Sequence, residues 1–370
     1  MTDLGIYIHI PFCNAKCSYC DFVSAVCPDG VKERYFARLE EEIADIGRQG
    51  IADGYIVSTV YIGGGTPSSV DERYIIGCLD ELRATFAFSE DCEISVEANP
   101  ESLDINKAKA YAGAGVNRIS LGLQSASDDI LAAIGRIHTL SDFLRAADVA
   151  QSVFPRVSAD MMLALPGQTM RDVEKAVRLL AGREFGHVSA YSLKVEEGTP
   201  LQKSGYVPDE DIAADMYDLT RGLLEEYGYS WYEVSNFALP GNECRHNMRY
   251  WTRGEYLGLG AAAHSFIGNE RIVRTSDVGA YIAGAEISER HFIPPQSDEA
   301  AEETIMLAIR TKNGIDLADF FRRFGRDLAE EKRGEIAELS EYGYLSVTDG
   351  HIRLTDKGLY VMNEIIIRLT

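Results

Sequence analysis

Cys13, Cys17 and Cys20 stand at C-x3-C-x2-C spacing within residues 7–22. They follow a short apolar run, residues 5–10, that reads as a strand, and Pro11 ends it because proline cannot donate to a ladder. The thiols therefore fall on a loop at the C-terminal end of a strand. Closely spaced thiolates hold iron–sulfur clusters, and a cubane usually takes four. Three local thiolates leave one iron open to a substrate or cofactor. A structural zinc site would need four ligands, and no second Cys or His pair follows at finger spacing. A disulfide framework belongs to oxidising compartments, and the seven cysteines are odd in number and lack secreted spacing.

Further chemistry gathers downstream. Gly63-Gly64-Gly65-Thr66-Pro67 can bring bare backbone close to a ligand. Glu97 and Gln124 close the third and fourth strand windows, Asp160 lies in the fifth, and Arg136 could pair with a carboxylate. A second constellation is His246-Asn247-Met248-Arg249-Tyr250-Trp251. Imidazole is a common axial ligand of heme iron. Tyr250 and Trp251 offer flat faces for a macrocycle, and Arg245 and Arg249 could meet its propionates. The competing reading is a packed aromatic turn with a hydrogen-bonded His246. His264 is a second candidate ligand that reads more simply as a structural histidine.

The elements that must position these groups alternate. Strand windows cover residues 5–10, 57–62, 93–98, 118–122, 156–163 and 188–193. Amphipathic helix windows cover 31–48, 71–86, 106–114, 128–134, 140–154 and 170–181. Such alternation predicts an α/β fold with a parallel sheet, and six units predict a partial or complete barrel. Barrel chemistry collects at the C-terminal ends of strands, where every one of the N-terminal motifs falls. Residues 230–266 are dense in aromatics and glycines, and 268–298 read as a connection. Helix windows at 299–310, 317–324 and 328–342, then a hairpin about Asp349-Gly350, predict a winged-helix-like domain with a structural or docking role. The expected domains are 1–229, 230–298 and 299–370.

The formal net charge of −22 over 370 residues argues against a broad phosphate-binding face, so no nucleic-acid partner is expected. No signal peptide or membrane-length apolar run is read, and the expected location is cytoplasmic. Cys78 and Cys92 read as buried core thiols.

The cysteine motif, with Tyr19 between its last two thiols, resembles that of the radical S-adenosylmethionine (SAM) superfamily. With residues 63–67, 97–100, 120–125 and 165–169 it resembles the oxygen-independent coproporphyrinogen III dehydrogenase family over nearly the whole chain. The resemblance implies a [4Fe–4S] cluster on Cys13, Cys17 and Cys20, with the open iron chelating the methionine moiety of SAM. It implies that Tyr7, Tyr19, Gly64, Gly65, Thr66, Glu97, Gln124, Arg136 and Asp160 contact SAM. Two departures stand out: Phe22 replaces the dehydrogenase's fourth cysteine, and the match begins at Tyr7, without that enzyme's N-terminal extension. Both, with the H-N-x-x-Y-W motif at 246–251, resemble the HemW-type heme chaperone branch. That branch implies heme bound through His246, Tyr250 and Trp251 and delivered to apo-haemoprotein acceptors. Peripheral membrane association through those acceptors and a homodimer are compatible with it. Oxidative decarboxylation of coproporphyrinogen III stays open as the alternative, and RNA modification is a third, disfavoured by the charge.

Overall fold

The computed structural model describes residues 1–285 and 287–370. Six strands run parallel and in sequence order: β1 (Thr2–Ile10), β2 (Tyr55–Gly64), β3 (Ala87–Ala98), β4 (Arg118–Gln124), β5 (Arg156–Leu163) and β6 (His187–Ser192). The crossovers are α1 (Asp29–Arg48), α2 (Glu72–Thr85), α3 (Ile105–Gly113), α4 (Asp128–Ala133), α5 (Leu140–Val153) and α6 (Met170–Gly182). Side chains alternate across each strand. One set, including Leu4, Ile6, Ile8, Val60, Ile62, Ile119 and Leu121, packs fully buried in the main core. The other set is polar and meets inside the curve of the sheet, as in the Tyr61–Glu97, Ser120–Asp160 and Arg118–Glu93 pairs. The sheet is thus a six-unit partial barrel with an apolar outside and a polar lumen.

Residues 230–298, expected as a heme-motif and connecting region, extend this sheet at both ends. β7 (Ser230–Glu233) and β8 (Asn236–Ala238) add beyond β6. β9 (Tyr256–Leu259) lies parallel beside β1, and β10 (His264–Ile267), β11 (Glu270–Arg274) and β12 (Ile287–Phe292) follow it antiparallel. The main core, Leu257 and Leu259 included, runs across the 229/230 boundary. These strands have three to six residues each. So few residues give no readable period, and their partners are distant in sequence. A buried pair, Arg274 Nη2 to Glu42 Oε1 at 2.6 Å, ties β11 to α1.

Residues beyond 298 form their own apolar cluster under a three-stranded antiparallel sheet, β13 (Ile315–Asp316), β15 (His351–Leu354) and β14 (Leu345–Thr348) in that order. The expected helix at 328–342 is two short helices, Leu328–Glu331 and Arg333–Glu341, meeting at Lys332. Helices and hairpin together give the winged-helix-like form. Among the described residues no helix is long and apolar enough to cross a membrane.

Candidate functional site

The cysteine loop is held from both sides. Cys13 N–H donates to Ala25 O at 3.1 Å, and Ser18 N–H donates to Ile134 O at 3.0 Å. Lys16 Nζ bonds Phe22 O at 2.5 Å and the Ser24 hydroxyl at 3.1 Å, closing the loop on itself. The three cysteines open onto one cavity of about 400 Å³ at the C-terminal ends of the strands. Tyr19, Gly64, Gly65, Thr66, Glu97, Gln124, Arg136 and Asp160 line the same cavity. Among the described residues no three His, Cys, Asp or Glu side chains converge as for a single ion. Cubane clusters are held by separate cysteine thiolates, one to each iron.

Each wall residue has a local cause. Gly65 passes so close to the end of β1 that a Cβ would lie 2.8 Å from Ile10 O and 2.7 Å from Phe12 O just beyond it, and a Cβ on Gly64 would lie 2.5 Å from the His9 ring. The N–H groups of this turn are already spent. Gly64 donates to Glu97 Oε2 at 3.2 Å, Gly65 to Ile10 O at 2.8 Å and Thr66 to Phe12 O at 2.7 Å. With no free donor and a carboxylate alongside, this wall suits a ligand's ammonium better than an anion. Tyr61 donates to Glu97 Oε1 at 2.8 Å. Burial, then the nearby Asp160 carboxylate, pushes the Glu97 pKa up to about 7. Burial also raises that of Asp160, against hydrogen bonds from Ser189 and Ser120. Gln124 ends β4 with φ of 64°, a left-handed backbone uncommon outside glycine, at the cavity wall.

Arg136 does more than a carboxylate clamp would require. Its Nη1 lies 3.7 Å from Cys17 Sγ, and its Nη2 donates to Asn99 Oδ1 at 2.8 Å and Gly122 O at 3.0 Å. Asn99 Nδ2 in turn donates to Thr66 Oγ1 at 3.2 Å, and Thr66 Oγ1 to Cys13 Sγ at 3.5 Å. One network therefore joins two of the three cysteines. Arg136 Nε is buried without a partner, which leaves a donor for a bound group. Tyr61, Asn99 and Tyr191 line the cavity but were not singled out as site residues from sequence. Parity on β2 and β6 selects the two tyrosines only once the lumen side of each strand is known.

Tyr7, His246, Tyr250, Trp251 and His264 lie outside this cavity wall. The Tyr7 hydroxyl donates to His9 Nδ1 at 3.0 Å, because His9 Nε2–H is held by Val23 O at 2.9 Å. His246 is the second residue of α9 (Arg245–Trp251), a short helix packed against the inner side of β2 and β3 as a plug. Its ring is buried and both nitrogens are taken, Nδ1 by Thr59 Oγ1 at 2.9 Å and Nε2 by Tyr250 OH at 2.7 Å. The ring also stacks on Tyr61 at 5.4 Å between centroids. Burial holds its pKa down to about 3, so it is neutral. Asn247 and Trp251 hydrogen-bond to Glu233. Arg245 pairs with Asp91, and Arg249 with Asp3 and Ser58. The motif expected to present an open heme ligand has its histidine hydrogen-bonded at both ring nitrogens and forms a floor of the barrel. His264 is exposed on β10.

Residues 7–180 match the Radical SAM superfamily and residues 296–361 the HemN C-terminal domain. The heme chaperone HemW of Bacillus subtilis is 34% identical over 97% of this chain and 97% of its own. That of Mycobacterium tuberculosis is 35% identical over 98% of this chain and 93% of its own. The chain belongs to the HemW family. Its fold agrees with coproporphyrinogen III oxidase (HemN) from Escherichia coli, a radical SAM enzyme. The TM-score is 0.87 at 21% identity, over 100% of this chain and 90% of that one. Phe22 lies on the wall of the cysteine cavity.

Proposed function

We propose that this protein is a heme chaperone that holds a [4Fe–4S] cluster and SAM in the barrel mouth and passes heme to apo-haemoprotein acceptors in the cytoplasm or at a membrane surface. The observation that carries the reading is the cavity wall itself: three thiols and Phe22 where the dehydrogenase-like alternative would place a fourth. Cys13, Cys17 and Cys20 would hold the cluster, and SAM bound at its open iron would be the group that reduction can cleave. Glu97, with no free N–H around it, receives the SAM ammonium. Arg136 and Asn99 orient Cys17 and Thr66. A homodimer is compatible with this arrangement.

The test is anaerobic, on protein with a reconstituted cluster. Hemin should bind one to one with a shifted Soret band, and coproporphyrinogen III given with SAM and reductant should stay unconsumed. Protoporphyrinogen formation at enzymatic turnover would put the dehydrogenase reading first.

A second expectation concerns pH. A carboxyl with its pKa near 7 is half protonated there, and a bound ammonium favours the ionised form. SAM affinity should therefore rise from pH 6 to pH 8, with a limiting slope of about tenfold per unit below 7. Glu97→Gln should bind SAM more weakly, with most of that slope gone. Equal slopes in both proteins, measured by calorimetric titration, would assign the dependence to another group such as Asp160.

A further inference from the structure

The cysteine cavity and the His246 helix meet at one side chain. Tyr61 lines the cavity, and its hydroxyl donates to Glu97 Oε1 at 2.8 Å. The same ring stacks on His246, with 5.4 Å between centroids and 26° between planes. Tyr61 is thus a tile between the cavity and α9. The other side chains on the His246 ring, Thr59 and Tyr250, are off the cavity wall. Tyr191, the cavity's tyrosine on β6, also lines a recess bounded by α7 (Pro200–Lys203) and α8 (Glu210–Glu226), with no His246 in its wall.

The contact sets the two ends against each other. The His246 ring is boxed in: Thr59 Oγ1 bonds Nδ1 at 2.9 Å, Tyr250 OH bonds Nε2 at 2.7 Å, and Tyr61 covers a face. Iron can take a ring nitrogen only after one of those bonds opens and the ring shifts under Tyr61. Tyr61 is held by its Glu97 bond and by the Tyr7 ring, stacked at 6.4 Å. A hydroxyl donating to an ionised carboxylate makes a charge-assisted bond, roughly twice as strong as a neutral one. Burial and the Asp160 carboxylate leave Glu97 part neutral at pH 7. A ligand ammonium beside Glu97 keeps it ionised, which tightens the Tyr61 bond and the cover over His246.

We propose that Tyr61 is a positioning residue that couples the two sites: SAM at Glu97 holds the Tyr61 ring over His246 and so opposes heme ligation by that imidazole. The inference rests on the heme-chaperone reading and deepens it, because it makes SAM occupancy a signal for giving heme up. Such coupling is reciprocal, so heme on His246 weakens SAM binding by the same factor. Charge assistance on one hydrogen bond sets that factor at about fivefold, the low end for coupled sites.

Hemin titration of cluster-loaded protein tests this, without reductant so that SAM stays intact. The Soret band reads affinity, and the visible bands read histidine ligation. Saturating SAM, checked by calorimetry for each protein, should weaken hemin binding to the wild type about fivefold. Tyr61→Phe keeps the ring and loses only the hydroxyl, and its hemin affinity should be the same with and without SAM. Tyr61→Leu also removes the stack. With no SAM present it should ligate hemin through His246 several-fold more tightly than wild type. His246→Ala should show no SAM effect. The coupling is overturned by a wild type whose hemin affinity ignores SAM, by Tyr61→Phe keeping the wild-type ratio, or by Tyr61→Leu keeping the wild-type affinity. A SAM effect that survives in His246→Ala also overturns it, because the two ligands then compete directly in the cavity. Each of these results leaves the chaperone reading in force. Wild-type protein that binds no hemin would overturn both.

Discussion

Cys17→Ala should leave a protein that folds but cannot be loaded with a cluster. After anaerobic reconstitution its iron and sulfide content should fall by well over half, and the broad charge-transfer absorption near the visible edge should vanish. The reason is stoichiometric. Three thiols share the cavity, so losing one leaves two protein ligands on a cluster that takes four. Cys17 is also the thiol that Arg136 reaches at 3.7 Å. An uncompensated guanidinium would be left behind, and the fall should come with weaker SAM binding. Cys78→Ala is the control. That thiol is fully buried between helix and sheet, and burial raises its pKa far from thiolate formation at neutral pH. It should keep full iron content. A Cys17→Ala protein that retains iron and colour would remove the cysteine motif from the cluster assignment.

What could be read from the chain follows from how local each signal is. The cysteine spacing, the Gly63–Gly65 run and the six strand–helix units each lie within a few tens of residues, and parallel strands buried on their outer face read as clear apolar runs. Glu97, Gln124 and Asp160 were legible because strand ends in a barrel share one rim. Tyr61 and Tyr191 were not, since their roles depend on which side of a strand faces the lumen. β9 pairs with β1 through Gly5–Tyr256 and its neighbours, a contact no short window contains. The same limit explains His246. Residue types at 246–251 suggest a heme ligand with stacking faces, but Thr59 and Glu93 bond His246 and Glu233 bonds Asn247 and Trp251, from three other segments. Spacing reports which groups are near one another along the chain; it does not report which of them are already satisfied.

Glu93→Ala should be the most damaging single substitution in the barrel floor, because that carboxylate is the point where the floor is tied together. Glu93 and Arg118 are both buried, at 0% and 2% exposed. Glu93 Oε1 accepts from His246 N at 3.2 Å and from Cys244 Sγ at 3.7 Å, which caps the first turn of α9. Its other oxygen faces Arg118 Nη1 at 3.9 Å, and Arg118 also donates to Asn242 O at 2.9 Å. Truncation leaves a buried guanidinium without its counter-charge, a change that costs about 3–5 kcal/mol. The urea midpoint should fall accordingly with little change in slope. Glu93→Leu combined with Arg118→Met should recover part of the loss, since an apolar pair replaces the ion pair. Recovery stays incomplete because the His246 N–H remains without an acceptor, at about 1–3 kcal/mol. A Glu93→Ala protein within 1 kcal/mol of wild type would show that Asn242 O and the helix tolerate the loss, and that α9 is held by Thr59 and Glu233 instead. The variant also reports on function. If loosening α9 frees the His246 ring, hemin added to Glu93→Ala should show more histidine ligation than hemin added to wild type, which ties the stability of the floor to how readily that imidazole reaches iron.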